Sequence, residues 1–173
     1  MVGTYFDAPA ACLEYDPLAP AVAACVAKII RAALPELLIE HMGSTSIPGC
    51  AGKGIVDLMV LYQPGRLEAA RAAVDGLGFQ RQKSRDPFPE ERPMRTGSLE
   101  YEGRIFRLQL HIILSDSPEV QDLRRFRERL RCDPSLVAAY VARKTEILSS
   151  GITDSLDYCN AKGDFCRRVI RNP

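Results

Sequence analysis

The stretch whose reading decides the fold is His41-Met42-Gly43-Ser44-Thr45-Ser46-Ile47-Pro48-Gly49-Cys50-Ala51-Gly52-Lys53-Gly54-Ile55-Val56-Asp57-Leu58-Met59-Val60. The apolar run from Leu37 enters it and reads as a strand ending at Met42. Gly43-Ser44-Thr45-Ser46 follows directly, and Pro48, Gly49, Gly52 and Gly54 punctuate what comes next. Ile55 to Tyr62 is then a second strand. Period-two alternation places Val56, Leu58 and Val60 on one side and Ile55, Asp57 and Met59 on the other. An ionised carboxylate inside such a run is costly unless it is paired or hydrogen-bonded or meets a ligand.

Outward from this block the chain alternates helical and extended patterns. Pro20 to Leu34 has helical spacing, and Pro35 stops it. Arg66 to Leu77 reads as a helix ended by glycine. Phe79 to Thr96, broken by Pro87, Pro89 and Pro93, reads as an exposed, mobile loop. Leu99 to Leu114 reads as a hairpin turning at Glu102-Gly103. Its second strand has Phe106, Leu108, Leu110, Ile112 and Leu114 on one face and Ile105, Arg107, Gln109, His111 and Ile113 on the other. Helices are expected over Glu119 to Arg131, with Ser117 as cap, over Ser135 to Leu148, and over Ser155 to Ile170. The class is α/β (α+β) with one sheet, in a single domain over residues 1–173.

Composition narrows the function. The 173 residues carry 23 Lys+Arg against 22 Asp+Glu, a net charge of +1, so global charge gives no reason to expect nucleic acid or a membrane. No apolar run approaches the roughly 20 residues of a membrane span. The N-terminus lacks a basic leader, which points to a cytoplasmic protein. Six cysteines without a C-x-x-C pair read as packed thiols rather than disulfides or a zinc site. From Gln121 onward, 11 basic residues face 7 acidic ones. Arg124, Arg127 and Arg131 share one helical face, which is either solvated or a wall for a phosphate-bearing ligand.

His41, His111 and Asp57 each interrupt an apolar strand, and together they present a possible two-His, one-carboxylate site for a transition metal. Gly43 to Ser46 offers hydroxyls and a closely approaching backbone to phosphate oxygens, with Lys53 adding charge. It is not a Walker loop, because no G-x-x-x-x-G-K-[ST] string occurs.

The block from His41 to Val60 resembles the signature of the GrpB family, which also occurs fused behind dephospho-coenzyme A kinase. Glu14-Tyr15-Asp16-Pro17, Leu110-His111-Ile112, Phe126-Arg127, Leu130-Arg131, Tyr140, Lys144, Tyr158 and Lys162 extend the resemblance along nearly the whole chain. It implies a nucleotidyltransferase-like fold, with a short mixed sheet, packed helices and a helical C-terminal part. In that superfamily a Gly-Ser motif holds a nucleotide, and an Asp-x-Asp/Glu pair on the next strand binds Mg²⁺. Gly43-Ser44 and Asp57 stand at matching positions, but Met59 replaces the second acid. Gly54 stands where the family usually has proline.

The expected function is therefore that of a nucleotidyltransferase-like transferase acting on a nucleotide or other phosphate-bearing small molecule, with a divalent cation, Mg²⁺ or a transition metal. Asp57, His111 and Lys53 are the catalytic candidates. Gly43, Ser44, Thr45, Ser46, Arg107, Gln109, Arg127, Lys144 and Lys162 are the phosphate-binding candidates. Asp57, His41 and His111 are the candidate metal ligands. A non-catalytic phosphate-binding module and an acyl transferase using an RNA-borne substrate are the competing readings. Whether Tyr140, Lys144, Tyr158 and Lys162 reach a ligand or clamp the tail helices to the sheet is open at this level.

Overall fold

A computed structural model describes residues 1–171. The elements in chain order are α1 (Ala19–Ala33), β1 (Leu38–Met42), a 3-10 turn (Ser44–Ser46), β2 (Ile55–Tyr62) and α2 (Leu67–Gly76). They continue with β3 (Gln80–Arg81), β4 (Met94–Tyr101), β5 (Arg104–Leu114), α3 (Pro118–Cys132), α4 (Pro134–Ser149), α5 (Ser155–Ala161) and α6 (Gly163–Arg171). The five strands form one mixed sheet in the order β1-β2-β5-β4-β3. Only β2 and β5 run parallel; every other neighbour is antiparallel. This is the mixed α+β architecture with a helical C-terminal part that the alternating pattern implies.

The two faces of the sheet do different work. Val56, Leu58 and Val60 meet Leu108, Leu110 and Ile112 across the parallel pair, and all six are fully buried. Val22, Val26 and Ile30 of α1 and Ala70 and Val74 of α2 close over them as the main core. Each such aliphatic side chain contributes about 1.5–3 kcal/mol by leaving water. On the opposite face Met42, Met59, Leu61 and Ile113 pack against Val120 of α3. Further along that face Ile47, Cys50, Leu130, Tyr140, Phe165 and Val169 join the turn to the C-terminal helices.

The β4–β5 hairpin turns at Glu102-Gly103, as expected. Both residues have positive φ, 50° and 72°, the conformation in which a two-residue turn matches strand twist.

Three local readings are corrected. The stretch 79–96 is not all loop, because β3 pairs through Gln80 and Arg81, and β4 begins at Met94. Arg95 concealed the strand, since a charged residue there breaks the apolar pattern. Its side chain is 1% exposed and is held by Asp75 at 2.6 Å and Glu90 at 2.8 Å. Ser155 to Ile170 is two helices rather than one, broken between Ala161 and Gly163, where glycine is a poor helix former. Ser117 occupies the N-cap position of α3, but its side chain makes no capping bond. Asp133 and Asp154 are the side chains that cap helices, each accepting two backbone amides at the starts of α4 and α5.

Candidate functional site

Strand register decides what can meet Asp57. The residue lies opposite Met42 of β1 and Gln109 of β5, and Met59 lies opposite His111. Directly paired residues share a face, so Met42, Asp57, Met59, Gln109 and His111 project together, away from the α1–α2 core. His41 lies opposite Leu58 and therefore emerges on the core side. Its Nε2 stands 3.0 Å from Thr45 Oγ1. The structure thus does not bring His41, Asp57 and His111 together as a metal site. Among the described residues no three His, Cys, Asp or Glu side chains are grouped to hold a metal ion.

Between the Asp57 face and the C-terminal helices lies a cavity of about 450 Å³. Gly43, Lys53, Asp57, Gln109 and His111 line its sheet side, and Tyr140, Cys159 and Lys162 line its helical side. A smaller recess of about 70 Å³ opens beside it, reaching Ser44, Thr45, Lys144 and Tyr158 and sharing Gly43, Lys53, Asp57 and Lys162 with it. Asp57 is the acid that lines both, whereas Asp7 and Asp86 border only the larger cavity. Burial pushes its carboxyl up to about 6, against the pull of the Lys53 and Lys162 ammonium groups. No hydrogen bond to the Asp57 carboxylate is formed among the described residues, so solvent or a ligand in the cavity is left to meet it.

The turn is built to approach this acid. Gly43 has φ 69°, a conformation that favours glycine. Ser46 Oγ donates to Gly43 O at 2.7 Å, and Thr45 Oγ1 donates to Ile55 O at 3.0 Å, which fastens the turn to the start of β2. Two of the expected phosphate hydroxyls are therefore occupied in holding the loop, and Ser44 keeps its side chain in the recess.

The basic residues divide in the same way. Lys144 is only 1% exposed. Its Nζ donates to Ser44 Oγ at 3.2 Å and to the Ala51 carbonyl, and lies 4.3 Å from the centroid of the Tyr140 ring. Burial lowers its pKa below that of an ordinary lysine. It clamps the turn. Lys53 Nζ donates to Ser155 Oγ at 2.8 Å. Lys162 makes no hydrogen bond or ion pair among the described residues and rests over the Tyr158 ring at 5.1 Å, its charge turned toward the recess. The Tyr158 hydroxyl is fully buried and has no hydrogen-bond partner among the described residues. Burial raises its pKa, so it remains a proton donor at neutral pH.

Other candidates stand elsewhere. Arg127 borders the large cavity, yet its guanidinium donates to His41 O at 2.8 Å and pairs with Glu40 at 3.1 Å. Arg124 grips the same Glu40, with its Nε at 3.0 Å, and Arg131 donates to Ser46 O at 2.8 Å. Burial alone would raise the Glu40 pKa, but the two guanidiniums outweigh it and hold it low. The basic face of α3 is thus a clamp on β1 and the turn rather than a free phosphate wall. Arg107 lies on the Asp57 face but lines neither the cavity nor the recess. Gln109 reaches the Tyr5 hydroxyl at 3.4 Å. His111 sits under the edge of Phe88, with Arg92 at 3.4 Å from its Nδ1. Burial, then Arg92, lowers its pKa to about 3, so it is neutral at physiological pH.

Tyr5, Phe88, Ser155 and Cys159 were not among the residues expected at this site, although all four line the cavity. They come from the N-terminal segment, the β3–β4 loop and α5, and no local spacing signals that these meet.

Comparison with known proteins agrees with the fold and the family resemblance. Residues 9–172 match the family described as GrpB protein. A UPF0157 protein of Pseudomonas aeruginosa is 30% identical over 162 residues, which span 91% of this chain and 65% of that protein. The crystal structure of conserved protein GrpB from Enterococcus faecalis is similar with a TM-score of 0.72 at 22% identity, covering 93% of this chain and 95% of that one. A structure of the RNA terminal uridylyl transferase Cid1 is matched over 77% of this chain and 44% of that one, with a TM-score of 0.49 and 15% identity, an overlap too slight to bear on activity. No helix among the described residues is long and apolar enough to cross a membrane. A match running almost end to end makes this chain a member of the GrpB protein family.

Proposed function

We propose that the chain binds a nucleotide or another phosphate-bearing small molecule in the cavity and recess, and acts on it as a nucleotidyltransferase-like transferase. One observation carries this reading. A strand carboxylate without a hydrogen-bonding partner among the described residues faces a cavity whose nearest charges are two lysines. Lys162, Lys53, Ser44 Oγ and the Tyr158 hydroxyl form a donor set suited to phosphate oxygens. Asp57, with a pKa near neutrality, is suited to take a proton from an attacking hydroxyl.

The two-carboxylate metal pair expected from the superfamily is only half present. A hard cation such as Mg²⁺ is bound through oxygen atoms, commonly one or two carboxylates plus substrate phosphates. Here Asp57 is flanked by Met59 and faces Gln109, so the protein offers one carboxylate where two are expected. No step is therefore drawn through a metal held by the chain. This same deficit favours the second reading, a phosphate-binding module without turnover.

The test is thermal unfolding with nucleoside triphosphates and pyrophosphate, with and without Mg²⁺ or Mn²⁺, in the native chain, Lys162→Ala and Asp57→Asn. A ligand of the folded state raises the midpoint. Stabilisation that Lys162→Ala abolishes and Asp57→Asn retains supports the reading, and release of pyrophosphate by the native chain but not Asp57→Asn distinguishes the transferase from the module. No stabilisation by any phosphate compound overturns both.

A further inference from the structure

A second cavity, of about 370 Å³, lies where β2 and β5 begin. It backs onto the recess across Gly52-Lys53-Gly54, which line both. The N-terminal segment forms its outer wall, and Leu13 and Gly52 exchange both backbone hydrogen bonds, at 2.7 and 2.8 Å. Phe6, Leu13 and Ile105 line it while remaining 48%, 53% and 63% exposed. A cluster of exposed apolar side chains around a concave site marks a binding surface more often than chance.

Arg107 gives this cavity its chemistry. The residue is 8% exposed and lines the cavity. One guanidinium nitrogen donates to Lys53 O at 2.5 Å, and the group stands 5.7 Å from the centroid of Phe6. No carboxylate among the described residues pairs with it, whereas the neighbouring Arg104 is paired with Asp16. A guanidinium has five N–H donors arranged to meet a carboxylate or phosphate. Burying such a charge without a counter-charge is costly. The other acid on the wall, Glu14, is exposed at the rim, where it repels a ligand carrying negative charge at both ends.

We propose that this cavity is a second ligand site, for an organic anion with an apolar body. Its single anionic head, carboxylate or phosphate, lies on Arg107, and its body lies against Phe6, Leu13 and Ile105. The site does not depend on the phosphate reading of the recess, because apart from Thr45 and the shared partition its residues are different ones.

Calorimetric titration of the full chain tests it, with octanoate and hexyl phosphate as probes and octanol and inorganic phosphate as controls. At least one amphipathic anion is expected to bind about tenfold or more tighter than either control. Whichever of the two binds better names the head group. Ile105→Glu, at an exposed position, and Arg107→Gln are each expected to weaken binding about tenfold or more. The effect of pyrophosphate on the melting midpoint remains in both variants. Should Arg107→Gln fail to fold, Ile105→Glu decides. Octanol binding as well as octanoate, neither anion binding, or undiminished affinity in Ile105→Glu would overturn the proposal.

Discussion

A Cβ atom placed on Gly43 would overlap the Oδ2 of Asp57, so the turn and the strand acid occupy one space that only glycine leaves open. The same residue has φ 69°. Sterics and backbone conformation therefore require glycine at Gly43 independently.

Gly43→Ala is accordingly expected to destabilise the fold by about 2–4 kcal/mol, combining positive-φ strain with displacement of a buried side chain. Gly49 has φ 74°, but a Cβ atom there would meet nothing within 4 Å. Gly49→Ala should cost only about 1 kcal/mol. Urea unfolding of the two variants side by side measures the difference, and equal costs would show that Asp57 does not constrain the turn.

Asp57 links stability to pH. Its folded pKa, about 6, is raised above the unfolded value by burial. Below the unfolded pKa the carboxyl is neutral in both states and carries no penalty. As pH rises toward 6 the penalty grows, and above that it is constant, on the order of 3 kcal/mol. Asp57→Asn should thus be more stable than the native chain at pH 7.5 and nearly equal to it at pH 3.5. Urea midpoints at the two pH values check this.

The two histidines act in the opposite direction. Burial, with nearby arginines, lowers His41 to about 4 and His111 to about 3. Their neutral forms support the fold fully above the unfolded value of about 6.5, and that support is lost as pH falls toward the folded values. Nuclear magnetic resonance of the imidazole nitrogens should show neither ring titrating between pH 5.5 and pH 8, a window fixed by these lowered values. A ring titrating near 6.5 would contradict its enclosure.

Lys144 and Arg124 separate clamp from ligand contact. Lys144→Ala strands the Ala51 carbonyl and Ser44 hydroxyl at the wall of the recess, a loss of about 2–4 kcal/mol. Arg124→Ala opens a partly exposed pair with Glu40, worth about 0.5–1 kcal/mol. Arg124→Ala should leave any shift of the melting midpoint by phosphate compounds unchanged. A loss of that shift would return the α3 arginines to the binding site.

Much of the architecture was legible in local pattern. Alternation in Ile55 to Tyr62 and Arg104 to Leu114 marks strands because one face of each must be dry. Spacing in α1 to α4 marks helices for the same reason. Gly43-Ser44 and Asp57 could be singled out because a carboxylate in an apolar strand and a hydroxyl-bearing turn are each locally anomalous. Arg95 hid the start of β4 because its charge is met by Asp75 and Glu90, residues 20 and 5 positions away that no local window relates to it.

The sequence by itself thus determined most of the extended and helical segments and which residues, His41, Asp57 and His111, are out of place among apolar neighbours, since both follow from periodicity and the cost of burying polar groups. Only the tertiary structure decided the company those residues keep. The antiparallel register of β1 and β2 sends His41 to the face opposite Asp57. Packing of the C-terminal helices over the other face brings Lys162 and Tyr158 to the acid from about a hundred residues away. Side-chain partners are set by which surfaces meet, and that is a property of the whole chain rather than of any stretch within it.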